Sequence, residues 1–113
     1  RGGAGGDRTQ ALNYVNAIRT RSGDVTAGNA PGAITDAELT LDFILDERAR
    51  ELYWEGHRRP DLIRFGKFTG SSYLWPWKGG VKSGTSIEDK RAIFPIPAAD
   101  ISNNPNLNQN EGY

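Results

Sequence analysis

The sequence predicts a mainly α chain carrying long ordered loops. Two stretches of helical spacing, each headed by capping residues, lead to this, as do the Gly- and Pro-rich stretches around them. The chain has 113 residues, enough for one modest core. Hydrophobic residues make up only 36% and Gly reaches 14, so the helices must carry the stability while much of the rest is loop.

The first helix is expected over about 7–22. Asp7 can cap it with Gln10 three positions on, and Ala11, Val15 and Ile18 repeat on one stripe beside Leu12 and Tyr14. Gly23 can take the left-handed conformation that ends it. Residues 24–34, with Gly, Ala, Asn and Pro31, read as a surface loop. The opening Arg1-Gly-Gly-Ala-Gly-Gly6 reads as an interhelical turn, which puts the domain boundary outside this chain.

The second helix, over about 40–55, has the clearest period. Leu41, Ile44, Leu45, Ala49 and Leu52 recur at three-to-four spacing as its core face, with a Thr35-x-x-Glu38 capping signature upstream. Gly56 should end it. Pro60 biases Arg59 away from helical geometry, so Asp61 is expected to cap a short helix over about 61–66, stopped by Gly66. Residues 67–113 read as loop-rich, with an extended Phe94-Pro-Ile-Pro97, a short helical turn from Ala98 to Ile101 and an Asn-rich tail. Two helices preceded by a Gly-rich turn fit the end of a helical-repeat array.

Lys+Arg and Asp+Glu balance at 14 each, which removes the positive field that nucleic-acid binding needs. There is no Cys, and His57 is the single histidine, so neither a thiolate nor a multi-histidine metal site can form; no catalytic residue, metal or cofactor is expected. No apolar run is long enough to span a bilayer.

Glu47, Glu51 and Glu55 sit at i, i+4 and i+8, and paired carboxylates are what a glycosidase uses. Arg48 and Arg50 stand beside them, however, and a neighbouring guanidinium keeps a carboxylate ionised where a general acid needs its proton. Structural ion pairing is the expectation. His57, flanked by Arg58 and Arg59, reads as a structural or surface residue, and Arg58, Arg59, Arg64 and Lys67 as a basic cluster for an anion or for nearby carboxylates. Tyr73, Trp75 and Trp77 are the candidate ligand-binding residues, because flat apolar faces with polar rims suit sugar rings. In an extended segment their spacing would put all three on one side, either as a sugar platform or as cover for the core, with at least one indole mainly buried.

The run from Ile44 to Arg59, ILDERARELYWEGHRR, followed by Asp61-Leu-Ile-Arg-Phe-Gly-Lys67, closely resembles the carboxy-terminal signature of SusD-like (RagB/SusD family) proteins. The ending agrees: Phe94-Pro-Ile-Pro-Ala-Ala-Asp-Ile101, Asn104-Pro-Asn-Leu-Asn-Gln-Asn110 and Gly112-Tyr113 are similar to the family's, while Leu12 to Arg21 looks like one of its repeat helices. Pro60 departs from a position where a small polar residue is common, and Glu111 from one where Pro is usual. The resemblance implies a carboxy-terminal fragment, residues 1–113, of a tetratricopeptide-like SusD-type fold. It further implies a non-catalytic, lipid-anchored outer-membrane protein at the cell surface that binds glycan and delivers it to a SusC-like TonB-dependent transporter. A glycoside hydrolase or accessory domain using the helix carboxylates, and a structural helical-repeat interaction module, are the alternatives. The resemblance implies that the lipidated Cys and most of the family's glycan-contacting aromatics fall in segments absent here, so no binding residue carries over by position.

Overall fold

The computed structural model describes residues 6–21 and 32–113, which fall into two compact units, Arg1–Glu51 and Leu52–Tyr113. The Gly-rich opening and the stop and loop expected from Ser22 to Pro31 lie outside the described residues. Among the described residues the chain is helical without a strand: α1 (Arg8–Arg19), α2 (Leu41–Glu51), α3 (Arg58–Arg64), α4 (Ala98–Asn103) and two short 3-10 turns.

In the first unit, Asp7 caps α1 by accepting the Gln10 N–H at 2.9 Å. Ala11, Leu12 and Val15 are partly covered, but Ile18 is exposed, so the expected stripe does not reach the last turn. The helix stops at Arg19, where the Thr20 N–H and hydroxyl both turn back to the Asn16 carbonyl. Thr35 and Glu38 form a closed turn of their own, not a cap on α2: the Glu38 carboxylate accepts from the Thr35 N–H and hydroxyl, each at 2.7 Å. These bonds hold the Glu38 pKa below 4.5, the backbone bond contributing most, then the hydroxyl. The cap on α2 is Thr40, whose hydroxyl accepts the Phe43 N–H at 3.0 Å.

Ile34, Leu39 and Leu45 are the buried apolar residues among the described residues of this unit. Leu41, expected on the core face, is exposed, because it stands in the first turn of α2. Ile34 is tied to α1 by a side-chain amide, with Asn16 donating to its carbonyl at 3.0 Å and accepting its N–H at 2.8 Å.

In the second unit, residues 52–56 form a turn, so α2 ends at Glu51 and not at Glu55. Trp54 enters the left-handed region at φ 69° and Gly56 at 75°. Helix α3 begins three residues earlier than expected, with Pro60 inside its first turn. A proline costs nothing there, since the first N–H groups of a helix have no intrahelical partner. Asp61 therefore does not stand at the head of the helix: it is buried inside α3 and pairs with Arg64 at 2.7 Å. Gly66 stops the helix at φ 66°, and the Lys67 and Phe68 N–H groups fold back onto the carbonyl of buried Leu62.

Candidate functional site

Residues 70–87 form a closed loop. Its base is a single antiparallel bridge in which Gly70 donates to the Ile87 carbonyl at 2.8 Å. Inside it, the Lys78 carbonyl takes the Thr85 N–H at 3.1 Å and the Val81 carbonyl takes the Gly84 N–H at 2.8 Å. Two glycines permit this closeness. A Cβ on Gly84 would lie 2.6 Å from the Trp75 carbonyl oxygen, and one on Gly79 would lie 2.6 Å from Cγ2 of Thr85, both at positive φ.

Lys78 is the loop's interior anchor. Its side chain is 1% exposed, and its ammonium donates to the carbonyls of Tyr73 (2.6 Å) and Gly70 (2.9 Å), with Lys67 O more distant at 3.4 Å. The same charge sits 4.7 Å from the Trp75 ring centre. Burial pushes the Lys78 pKa below 10.5; the carbonyl oxygens, which only accept, oppose that push by binding the protonated form.

The three aromatic residues read from the sequence are held by this loop but do not form one row. Tyr73 and Trp75 lie with ring centres 5.9 Å apart and tilted at 50°, both partly covered. The Tyr73 hydroxyl accepts from Arg58 at 2.9 Å. Trp77 breaks the period-two pattern, because the chain turns at Pro76-Trp77 and Trp77 adopts φ 70°. A left-handed non-glycine residue is strained by about 1–3 kcal/mol and persists only where its surroundings over-determine it. Here the Trp77 N–H and carbonyl are both engaged within the loop, and the indole is 65% exposed. The result is a flat apolar face, fixed from behind and open to solvent.

Of the carboxylates read as candidates for acid–base chemistry, Glu47 and Glu51 have guanidinium partners. Glu47 is buried and receives Arg19 at 2.6 Å and Arg50 at 2.7 Å, and Glu51 receives Arg21. Glu55 falls beyond the helix, in the turn, so the three do not share a helical face. His57 is exposed just before α3, and its carbonyl accepts the Asp61 N–H. The basic cluster is dispersed over aromatic faces: Arg59 lies 4.1 Å from the Phe94 ring centre and 5.0 Å from that of Phe68, and Lys67 lies 5.9 Å from Tyr73. Among the described residues no group of His, Cys, Asp or Glu could hold a metal ion, and no helix is long and apolar enough to cross a membrane.

A feature that the sequence did not reveal is a cleft of about 560 Å³ lined by Phe94 together with Arg59, Glu88, Arg91 and Tyr113. The Phe94 segment is fixed by the tail. Gln109 accepts the Ile96 N–H at 2.8 Å and donates to its carbonyl at 2.9 Å, Asn110 donates to the Phe94 carbonyl at 2.8 Å, and the Tyr113 hydroxyl lies 3.0 Å from the Ile93 carbonyl. Nothing in local sequence pairs residues 13 or more positions apart; the Pro-Ile-Pro run and the Asn-rich tail were the only visible signals.

Comparison with known proteins matches residues 4–113 to the SusD family. The starch-binding protein SusD of Bacteroides thetaiotaomicron is 46% identical over 109 residues, covering 96% of this chain and 18% of that protein. A SusD-like protein, P38, of Formosa agariphila is 34% identical over 112 residues, covering 96% of this chain and 20% of its own length. The chain thus spans about a fifth of these relatives.

Proposed function

The chain belongs to the SusD family, and from that premise we propose that the whole protein binds glycan at the bacterial cell surface and hands it to a TonB-dependent transporter of the SusC type, breaking no bond. The observation that carries the reading is the 46% identity, across 96% of the chain, to a protein named for binding starch. A starch-type glucan is accordingly the first ligand to test. Anchoring by lipid to the outer membrane belongs to the same proposal and rests on the family resemblance.

Within this chain the loop of Tyr73, Trp75 and Trp77 supports a part in binding. Trp77 offers the open ring, and stacking needs no rearrangement because the backbone behind it is already fixed, which lowers the ordering cost of binding. Trp75, clamped against Lys78, serves more as the loop's support than as its open surface. Catalysis by the helix carboxylates is disfavoured by geometry: Glu47 is buried and held by two guanidinium groups and Glu51 is held by one, while a glycosidase needs two carboxyl groups facing the scissile bond.

The test is calorimetric titration of the full-length protein with maltoheptaose and a panel of other oligosaccharides, beside a reducing-end assay. Wild type should bind at least one, and Trp77→Ala should weaken that binding roughly tenfold, the loss of about 1.4 kcal/mol, with the melting temperature unchanged. Reducing ends should stay at background. A wild-type protein that binds no saccharide, or that releases reducing ends in a manner lost in Glu47→Gln, would overturn the reading. Transporter delivery is checked by co-purification of a SusC-type barrel with the tagged lipoprotein from outer membranes.

A further inference from the structure

The cleft over Phe94 shares no aromatic residue with the Trp77 loop. It has a chemistry of its own. Phe94 is 71% exposed, unusual for a residue whose backbone is so firmly held. Pro95 and Pro97 fix φ on either side of Ile96, and the Gln109, Asn110 and Tyr113 side chains bind the backbone polar groups along the run. Arg59 lies over the Phe94 ring and is itself anchored, donating to the Arg91 carbonyl at 2.8 Å. Arg59 thus covers one face of the ring, and the rest of it stays open to solvent on a backbone that the tail holds fixed.

The rim is polar and paired without being closed. The Glu88 carboxylate stands 4.0 Å from the Arg91 guanidinium and 3.4 Å from the Lys90 ammonium, and the Glu88 and Arg91 side chains are 68% and 59% exposed. A sugar hydroxyl both donates and accepts, so neighbouring hydroxyls on a pyranose ring can give to the carboxylate and take from the guanidinium together. The ring's C–H face then lies on the apolar floor. A volume of about 560 Å³ falls within the range of small-ligand sites and leaves room for a short saccharide. A simple anion fits less well, because Glu88 stands in the rim among the cations.

We propose that this cleft is a second saccharide subsite, in which Phe94 stacks against a pyranose ring and Glu88 with Arg91 hold adjacent hydroxyls. The proposal rests on the glycan-binding reading above and extends it to a cleft lined by none of Tyr73, Trp75 and Trp77, although Gly79, Ser86 and Ile87 of the same loop form part of its wall.

The experiment measures the oligosaccharide bound by the wild-type full-length protein, maltoheptaose first, against Phe94→Ala, Glu88→Gln and Trp77→Ala. Phe94→Ala should lower affinity roughly tenfold for chains long enough to reach the cleft, with the melting temperature unchanged. Glu88→Gln, which keeps shape and loses charge, should lower it several-fold. The Phe94 ring protons should shift on titration with the same saccharide in a Trp77→Ala background. Should the wild type bind while Phe94→Ala and Glu88→Gln both match it, the subsite falls and the glycan reading stands. Should the wild type bind no saccharide, both fall together.

Discussion

Replacing Lys78 by Met keeps most of the side-chain volume and removes the ammonium, which isolates the work done by the charge. Two well-placed acceptors, the Tyr73 and Gly70 carbonyls at 2.6 and 2.9 Å, lose their donor inside a site that is 1% exposed. A buried carbonyl left without a partner costs about 1–3 kcal/mol, and the contact with Trp75 at 4.7 Å adds about 1 kcal/mol. Against this stands the relief of no longer burying a cation, worth several kcal/mol on its own. Because the existing cage already satisfies that cation, loss of the cage bonds should win, and the variant should be less stable by about 2–4 kcal/mol. Urea unfolding followed by tryptophan fluorescence reads the total, and amide hydrogen exchange at Gly84 and Thr85 reads the loop itself. A Lys78→Met protein equal to or more stable than wild type, with those amides still protected, would show that the loop is held by packing and not by the charge.

The Arg19–Glu47 pair gives a second check. Both side chains are about a tenth exposed, so Glu47→Gln leaves a guanidinium poorly compensated and should cost about 3 kcal/mol in urea unfolding. A double-mutant cycle with Arg19→Met that returns no coupling would rule the pair out as the cause. A third concerns acid. The folded Glu38 pKa is depressed by the Thr35 bonds, so their contribution is present above 4.5 and disappears as pH falls through the folded value. In Thr35→Ala the carboxyl titration seen by NMR should move back toward 4.5, since the hydroxyl bond is gone and only the N–H bond remains; an unmoved titration would show that the hydroxyl contributes nothing.

What was legible in the sequence was local. Asp7 at the head of α1 and Gly66 after α3 act through bonds to residues three or four positions away, and a spacing rule sees that far, whereas the cap expected from Thr35 and Glu38 falls instead to Thr40. The misplaced boundaries have a common cause. Pro60 was read as a barrier to helix where the first turn tolerates it, and α2 was extended to Glu55 because the periodic apolar Leu52 falls just after the helix has ended at Glu51. Trp77 left the row with Trp75 for the same reason: an alternation rule assumes extended backbone, and the chain turns there. Lys78 was invisible because lysines are seldom buried, and its cage of carbonyls exists only once the loop has closed. The Phe94 cleft depends on Gln109 and Asn110 reaching back across 13 and 16 positions.

Two side-chain amides, Asn16 on Ile34 and Gln109 on Ile96, each occupy both the N–H and the carbonyl of one residue in an extended segment. Those are the two groups that a β-strand from another molecule would use to dock. A strand needs a continuous row of open donors and acceptors, and at Ile34 and Ile96 the row is interrupted by groups the chain supplies itself. Losing either amide would do more than loosen a loop: it would uncover a short template for pairing between copies, so Gln109→Ala should appear as concentration-dependent self-association sooner than as unfolding.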